Sequence, residues 1–505
     1  MEYLKIMEPQ EKLTDPNQTT PPVQQPIINN LKPKHPKRKT LIISISLLII
    51  LICAIGGYFV LQNNKPITKK TNNMNSQITE EPNPKIEILA TMPPENPHIL
   101  YNTLLDPYSH MAVYSIDKDT YTASESATIV IDGKSGKSYD EINGITVSPN
   151  GKRIAFIATK DKKMFVIVDG IEGKKYDYIK NLTFSADSQH IAYAAGKEKY
   201  FQPDSPYSGN DMVKKMGIVV DAKEEKVYDG TYIGVNVYDT YFPVFSKDGK
   251  KVTYTAIKNK KDILIVDDNE IAEFPYQQYP YPQFIGNTYD LIYLDSENNK
   301  QFLVVTGKKG TPHDNIWSGT NLPYYIGKDA SQIAYEAEDN DVNTVIINGT
   351  SFREEPLTRG LQAVTFSPSG KYIAYYLGTS MNDMNKKSSF ISWVRKDLFV
   401  NGKFYGAAQS DRSKIVNTPL FSPNEKYLVY TEYNQQNGPA TIHILSVNPL
   451  KKITDFSLPK FKAVGLMKFS DDSKYLYFKG WQDRNIVYVT LNLEQLIKES
   501  SLKNQ

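Results

Sequence analysis

The residues of this 505-residue chain that could carry chemistry are few and scattered. Its six histidines, His35, His98, His110, His190, His313 and His443, form neither an H-E-x-x-H pair nor any other zinc-ligand spacing. His190 reads as a solvated residue at a strand edge. The one cysteine, Cys53, lies inside an apolar run, so the remainder of the chain has no thiol for a disulfide, a zinc cluster or a nucleophile. GKSGKS at 133–138 resembles a phosphate loop, but Ile131 stands where the motif needs its first glycine, and the segment follows a strand-like run instead of opening a helix. DNDVN at 339–343 offers D-x-D-x-N without the glycine and distal glutamate of a calcium loop, and reads as a polar turn. No G-x-S-x-G elbow occurs. No catalytic residue, cofactor or metal is expected.

Recognition is the remaining use for distinctive side chains. In YQQYPYPQF at 276–284, Tyr276, Tyr279, Tyr281 and Phe284 alternate with prolines. The segment is either an aromatic platform for a glycan or proline-rich peptide, or a stiff connection whose rings pack on neighbours. Trp317, Trp393 and Trp481 lie in or beside loops, where an indole can anchor a partner or pack at a rim.

These residues are punctuation in a chain that repeats itself. FSPSGKYIAY at 366 has close copies at 147, 184, 245, 421 and 469, and weaker ones at 105, 284 and 326. The spacing is near that of one four-stranded propeller blade. Each copy reads as a strand end, a Pro/Asp/Asn/Gly turn and a following strand, with Gly151, Gly249 and Gly370 where positive φ is wanted. Strand-like runs ending in Asp or Asn follow (TIVIDG at 128, FVIVDG at 165, ILIVDD at 263, DLFVNG at 397), and KSYDEI, KKYDYI and KVYDGTYI read as outer fourth strands. The last unit lacks a fourth strand, which KIEILAT at 85 can supply, closing the ring. Tyrosine numbers 35 against 3 Trp, which suits half-buried strand positions. The expected fold is all-β, a single propeller of four-stranded blades over 85–492, with eight blades favoured and seven or nine as alternatives.

The decamer and its V-x-V-D-G continuation resemble the WD40-like repeat of bacterial TolB-like β-propeller proteins. That resemblance covers about residues 85–492 and implies a fold, not a function, because such propellers serve as binding platforms, sensor ectodomains and peptidase gates. Ser188 and Ser473 depart from it by replacing the turn glycine, which leaves those two turns open to irregularity.

Residues 41–61 are uncharged and apolar, long enough for a membrane helix. Lys32, Lys34, Lys37, Arg38 and Lys39 precede it, against Lys65, Lys69 and Lys70 after it, so the N-terminus is expected in the cytoplasm and the propeller outside. Residues 1–40 form a disordered tail, 62–84 a flexible stalk and 493–505 a C-terminal tail with a short helix. A formal net charge of +3 without a basic stripe sets nucleic acid aside. The expectation is a single-pass, extracytoplasmic binding or scaffold module for a protein or cell-envelope polymer. The alternatives are a propeller hydrolase or lyase acting on envelope glycans, and a structural spacer. Residues 200–216 and 377–395 are insertions that the fold does not require.

Overall fold

A computed structural model describes residues 84–92, 105–117, 127–201, 211–229, 242–276, 278–317, 323–340, 342–353, 359–380, 393–409, 414–434 and 439–503. All belong to one compact unit, Glu80–Gln505. The expected tail, membrane span and stalk, up to residue 83, lie outside the described residues. Among the described residues, no helix is long and apolar enough to cross a membrane.

The decamer is a self-capping turn. In the copy at 366, the Ser367 N–H donates to the Tyr372 carbonyl (2.8 Å), the Gly370 N–H donates to the Ser367 carbonyl (2.8 Å), and Ser367 Oγ accepts the Tyr372 N–H (3.0 Å). Ser148, Ser246 and Ser422 repeat the Oγ bond at 2.9–3.0 Å and donate to Asn150, Asp248 and Asn424 two residues on. All four serines are buried, so a hydroxyl that satisfies the turn from inside explains why serine recurs there. The Asp or Asn that ends each third strand has a parallel task. Asp169, Asp267 and Asn401 sit at φ near +50°, which Asp and Asn tolerate, and each accepts the N–H of the first residue of its second strand at 2.9 Å.

Nine units of this kind span 113–139, 141–172, 178–229, 244–275, 283–309, 315–353, 359–409, 414–458 and 461–492, numbered 1 to 9 below. Unit 2 is typical, with antiparallel strands Glu141–Val147, Ile154–Lys160, Lys163–Val168 and Ile171–Glu172 in sequence order. Hydrogen bonding groups the described strands into eight sheets, because units 3 and 4 join through one pair, Asp229 with Ile257. Lys85–Thr91 completes unit 9 by pairing with Asn485–Asn492, as expected, from Lys85 opposite Thr490 to Thr91 opposite Asn485.

The core lies between units. Buried clusters join 1 to 2, 2 to 3, 3 to 4, 5 to 6, 6 to 7, 7 to 8 and 8 to 9, and a further one closes the ring from Trp481 and Ile486 of unit 9 to Ala112, Tyr114 and Val130 of unit 1. Units 4 and 5 meet through Phe274 and Tyr293, edge to face at 5.8 Å. Consecutive sheets packed face to face and closed on themselves make a β-propeller. The helix Leu493–Lys503, capped by Asn492 Oδ1 on the Gln495 N–H (3.1 Å), buries Leu493 and Leu496 against units 8 and 9.

Three expectations need correction. The YD-containing segments are not whole fourth strands: Lys134–Tyr139 ends before Asp140 and Lys223–Asp229 ends at its Asp. These aspartates instead cap the hairpins between second and third strands, Asp140 accepting the Asp161 N–H (2.7 Å) and Asp229 the Asn259 N–H (2.8 Å). The two insertions begin and end as extensions of paired strands, since Phe201 pairs with Asp211 and Ser380 with Trp393, and 202–210 and 381–392 lie outside the described residues. Finally, the turns with Ser188 and Ser473 are regular, at φ 66° and 63°, and their hydroxyls accept the Asn150 and Asn424 N–H groups of the preceding unit, each at 3.0 Å.

Candidate functional site

Antiparallel strands give the ring two unlike ends. The decamers and the third-to-fourth connections share one, here the turn face; the second-to-third connections and the links between units share the other, the loop face. Turns of adjacent units interlock: Ser369 donates its N–H and hydroxyl to Glu425, and Tyr289 donates to Asp248 (2.7 Å). On the loop face, units 2, 4 and 5 have two-residue hairpin turns, Asp161–Lys162, Asn259–Lys260 and Asn298–Asn299, all at positive φ. Units 1, 3, 7 and 8 have instead the longer connections that contain 118–126, 202–210, 381–392 and 435–438.

The sequence-nominated aromatics are spread over the link from unit 4 to unit 5 and over units 5, 6, 7 and 9. Tyr276 is exposed. Tyr279 and Tyr281 both have φ 49°, with ring centroids 6.3 Å apart; the Tyr279 N–H donates to the buried Asp262 (2.9 Å), and the Tyr281 carbonyl accepts the Tyr324 hydroxyl. Phe284 is buried, and Trp481 is a core residue whose Nε1 donates to the Asp483 carbonyl (2.9 Å). The backbones of Trp317 and Trp393 pair with Glu336 and Ser380.

A groove of about 480 Å³ opens on the turn face between units 3 and 4. On its wall His190 occupies the slot where unit 2 has Arg153, whose guanidinium reaches across to the Gln189 carbonyl (2.8 Å) of the next unit. His190 is half-exposed, and its Nδ1 lies 2.6 Å from Asp221. Arg153 with Asp169 and Lys251 with Asp267 fill the same repeat slots, so the His190–Asp221 contact belongs to the scaffold. Beyond it the groove holds Lys223, Glu225, Lys250 and Asp268. A hydrogen bond to Asp268, together with burial, pushes the Glu225 carboxyl above its ordinary value. Burial pushes Asp268 up too, but the bond from Glu225 and the Lys226 N–H (3.0 Å) outweigh it and hold Asp268 low. The two carboxyls are therefore pushed apart, Glu225 up and Asp268 down, and titrate as a pair. The doubled acids in KEEK at 223–226 and VDDNE at 266–270 are the sequence signal for this pair.

The pair can hold a proton, but glycoside hydrolysis needs carboxyls about 5–10 Å apart with the scissile bond between them, and these two are bonded to each other. Among the described residues, no three His, Cys, Asp or Glu side chains group to hold a metal ion. No protein-family model and no curated protein matches the chain. Among solved structures, a eukaryotic initiation factor is 14% identical over 74% of this chain and 95% of its own, with TM-score 0.43. The Dos1 propeller is 11% identical over 76% and 95%, with TM-score 0.41. The Swd1 β-propeller domain of Myceliophteria thermophila is 11% identical over 61% and 95%, with TM-score 0.28. The propeller assignment itself rests on strand order and on the clusters shared between units.

Proposed function

We propose that this chain is a membrane-anchored, non-catalytic propeller of nine blades whose loop face docks a protein or cell-envelope partner. The observation that carries the reading is the inequality of the two faces. Repeated turns of one length fill the turn face, whereas extended hairpins and long connections gather on the loop face, and loops of unequal length on a rigid scaffold are where binding specificity resides. The closing strand runs from the turn face at Lys85 to the loop face at Thr91, so the chain enters the ring on the side remote from those loops. The apolar run 41–61 and the lysines before it support an anchor with a cytoplasmic N-terminus and an extracytoplasmic ring, as does the resemblance to bacterial TolB-like propellers.

The test is cross-linking and affinity capture from native membranes, comparing the full chain with versions in which 202–210 or 381–392 is replaced by a two-residue turn. A defined partner retained by the full chain and lost from either version is the expected result. Capture of the same partner by all three versions would sink the loop-face assignment.

A further inference from the structure

We infer that the slot held by Lys85–Thr91 on the outer edge of unit 9 is an exchange site, which takes the same segment from a second copy of this chain. Two independent observations meet here. The first is how lightly the strand is held. Ile86 and Ile88 are 39% and 60% exposed, a bulge breaks the register between Ile88 and Ala90, and apolar burial is confined to Leu89, Ala90 and Met92 at one end. Backbone pairing with Asn485–Asn492 and polar contacts such as Thr91 Oγ1 to Asn485 Oδ1 (2.7 Å) and the Arg484 guanidinium to the Met92 carbonyl complete its hold, and another copy of the segment can reproduce all of them.

The second is that the ring is shut by other means. Asp106 occupies the serine slot of the unit 1 decamer, and its carboxylate accepts the Tyr108 and Ser109 N–H groups (2.8 and 2.9 Å). Lys479 of unit 9, with a fully buried side chain, reaches into that turn and donates to Asp106 (2.7 Å), to Ser109 Oγ (3.0 Å) and to the Met111 carbonyl (2.6 Å). All three ammonium protons are thereby used. Tyr488 donates to the Pro107 carbonyl (3.4 Å), and Trp481 and Ile486 pack on Ala112, Tyr114 and Val130. Although Ala90 and Met92 share the apolar cluster, the Lys479 and Tyr488 bonds do not involve the closing strand. Units 1 and 9 stay joined when it leaves, and the vacated third strand then offers an open edge.

An exchanged strand regains the contacts it gave up, so copy number, not sequence, decides how often exchange occurs. The slot selects its own segment: Glu87 lies 3.7 Å from His110 of unit 1, and Ala90 and Met92 fit beside Trp481.

Two full-length forms, both Cys53→Ser, are co-expressed with different tags; one carries Lys85→Cys and the other Thr490→Cys, positions that face each other across the strand pair. Treatment with a short bis-maleimide can then join tag to tag only if the strand of one copy lies on the sheet of the other. A single chain carrying both cysteines serves as the intramolecular reference. The expected result is a mixed-tag product at about a tenth of the reference yield or more, falling on dilution. A strong intramolecular product with no mixed-tag product overturns the inference. Absence of the intramolecular product overturns it as well, because the strand would not then occupy the slot.

Discussion

The turn face and the loop face are made from the two ends of the same strands, yet they obey different rules. At the turn face a decamer turn can also be a neighbour's hydrogen-bond partner, as Ser188 is to Asn150 and Glu425 is to Ser369, so its residue types are fixed by packing. At the loop face a hairpin is capped by an aspartate at its base, as Asp140 caps Asp161, and what lies beyond that base is free to lengthen. The first face makes the ring, and the second is left to vary.

The contrast is broken most severely at Lys479. Lys479→Ala would leave Asp106 charged and buried without its cation, costing about 3–5 kcal/mol, read as a fall in denaturant midpoint at unchanged slope. The double variant Lys479→Met, Asp106→Ser would restore the serine turn used by other units and recover most of the loss. No recovery would mean that the slot is not interchangeable between units. Next in size is Ser367→Ala, which strands the Tyr372 N–H in a buried turn and should cost about 1–3 kcal/mol by the same measurement. Replacing 202–210 with a two-residue turn should move stability by less than about 1 kcal/mol, because lengthening or shortening a closed loop changes its entropy slowly. A loss as large as that at Ser367 would mean that this connection is part of the scaffold.

How much of this was legible in the sequence follows the same division. The decamer is readable because Ser, the Pro/Asp/Asn/Gly cluster and the third-strand Asp each satisfy a backbone group within one unit, at fixed offsets along the chain. The fourth strands were misplaced because the aspartate of KSYDEI caps a hairpin about 20 residues downstream, a contact invisible at short range. The groove was missed for a related reason: its lining is assembled across a gap between units, with Glu225 of unit 3 meeting Asp268 of unit 4. The weak copy at 105 is weak because Asp106 depends on Lys479, at the far end of the chain. From their place in or beside loops the tryptophans read either as partner anchors or as packed rim residues, and Trp481 is buried in the core.

The smallest expected effect sets two adjacent residues of one strand against each other. Glu224 and Glu225 have opposite protonation behaviour because they face different neighbours. Glu224 is pulled down to about 2 by hydrogen bonds from Lys174, Tyr176 and Lys197 of units 2 and 3, while Glu225 is pushed up against Asp268 of unit 4. A carboxyl with a depressed folded value contributes stability that is complete above its unfolded value, 4.5, and is lost as pH falls from there towards 2. A carboxyl with a raised folded value holds its proton more tightly in the folded state, so stability falls as pH rises from 4.5 through the folded value. Glu224→Gln should therefore lose less stability than the parent between pH 4.5 and 2. Glu225→Gln should be the more stable of the two variants near neutrality, because the amide keeps a donor towards Asp268 without the second charge. Denaturant midpoints measured across that range separate the two. If both variants shift in the same direction relative to the parent at every pH, the strand does not divide a favourable charge cluster from a strained one, and the groove loses its acidic character.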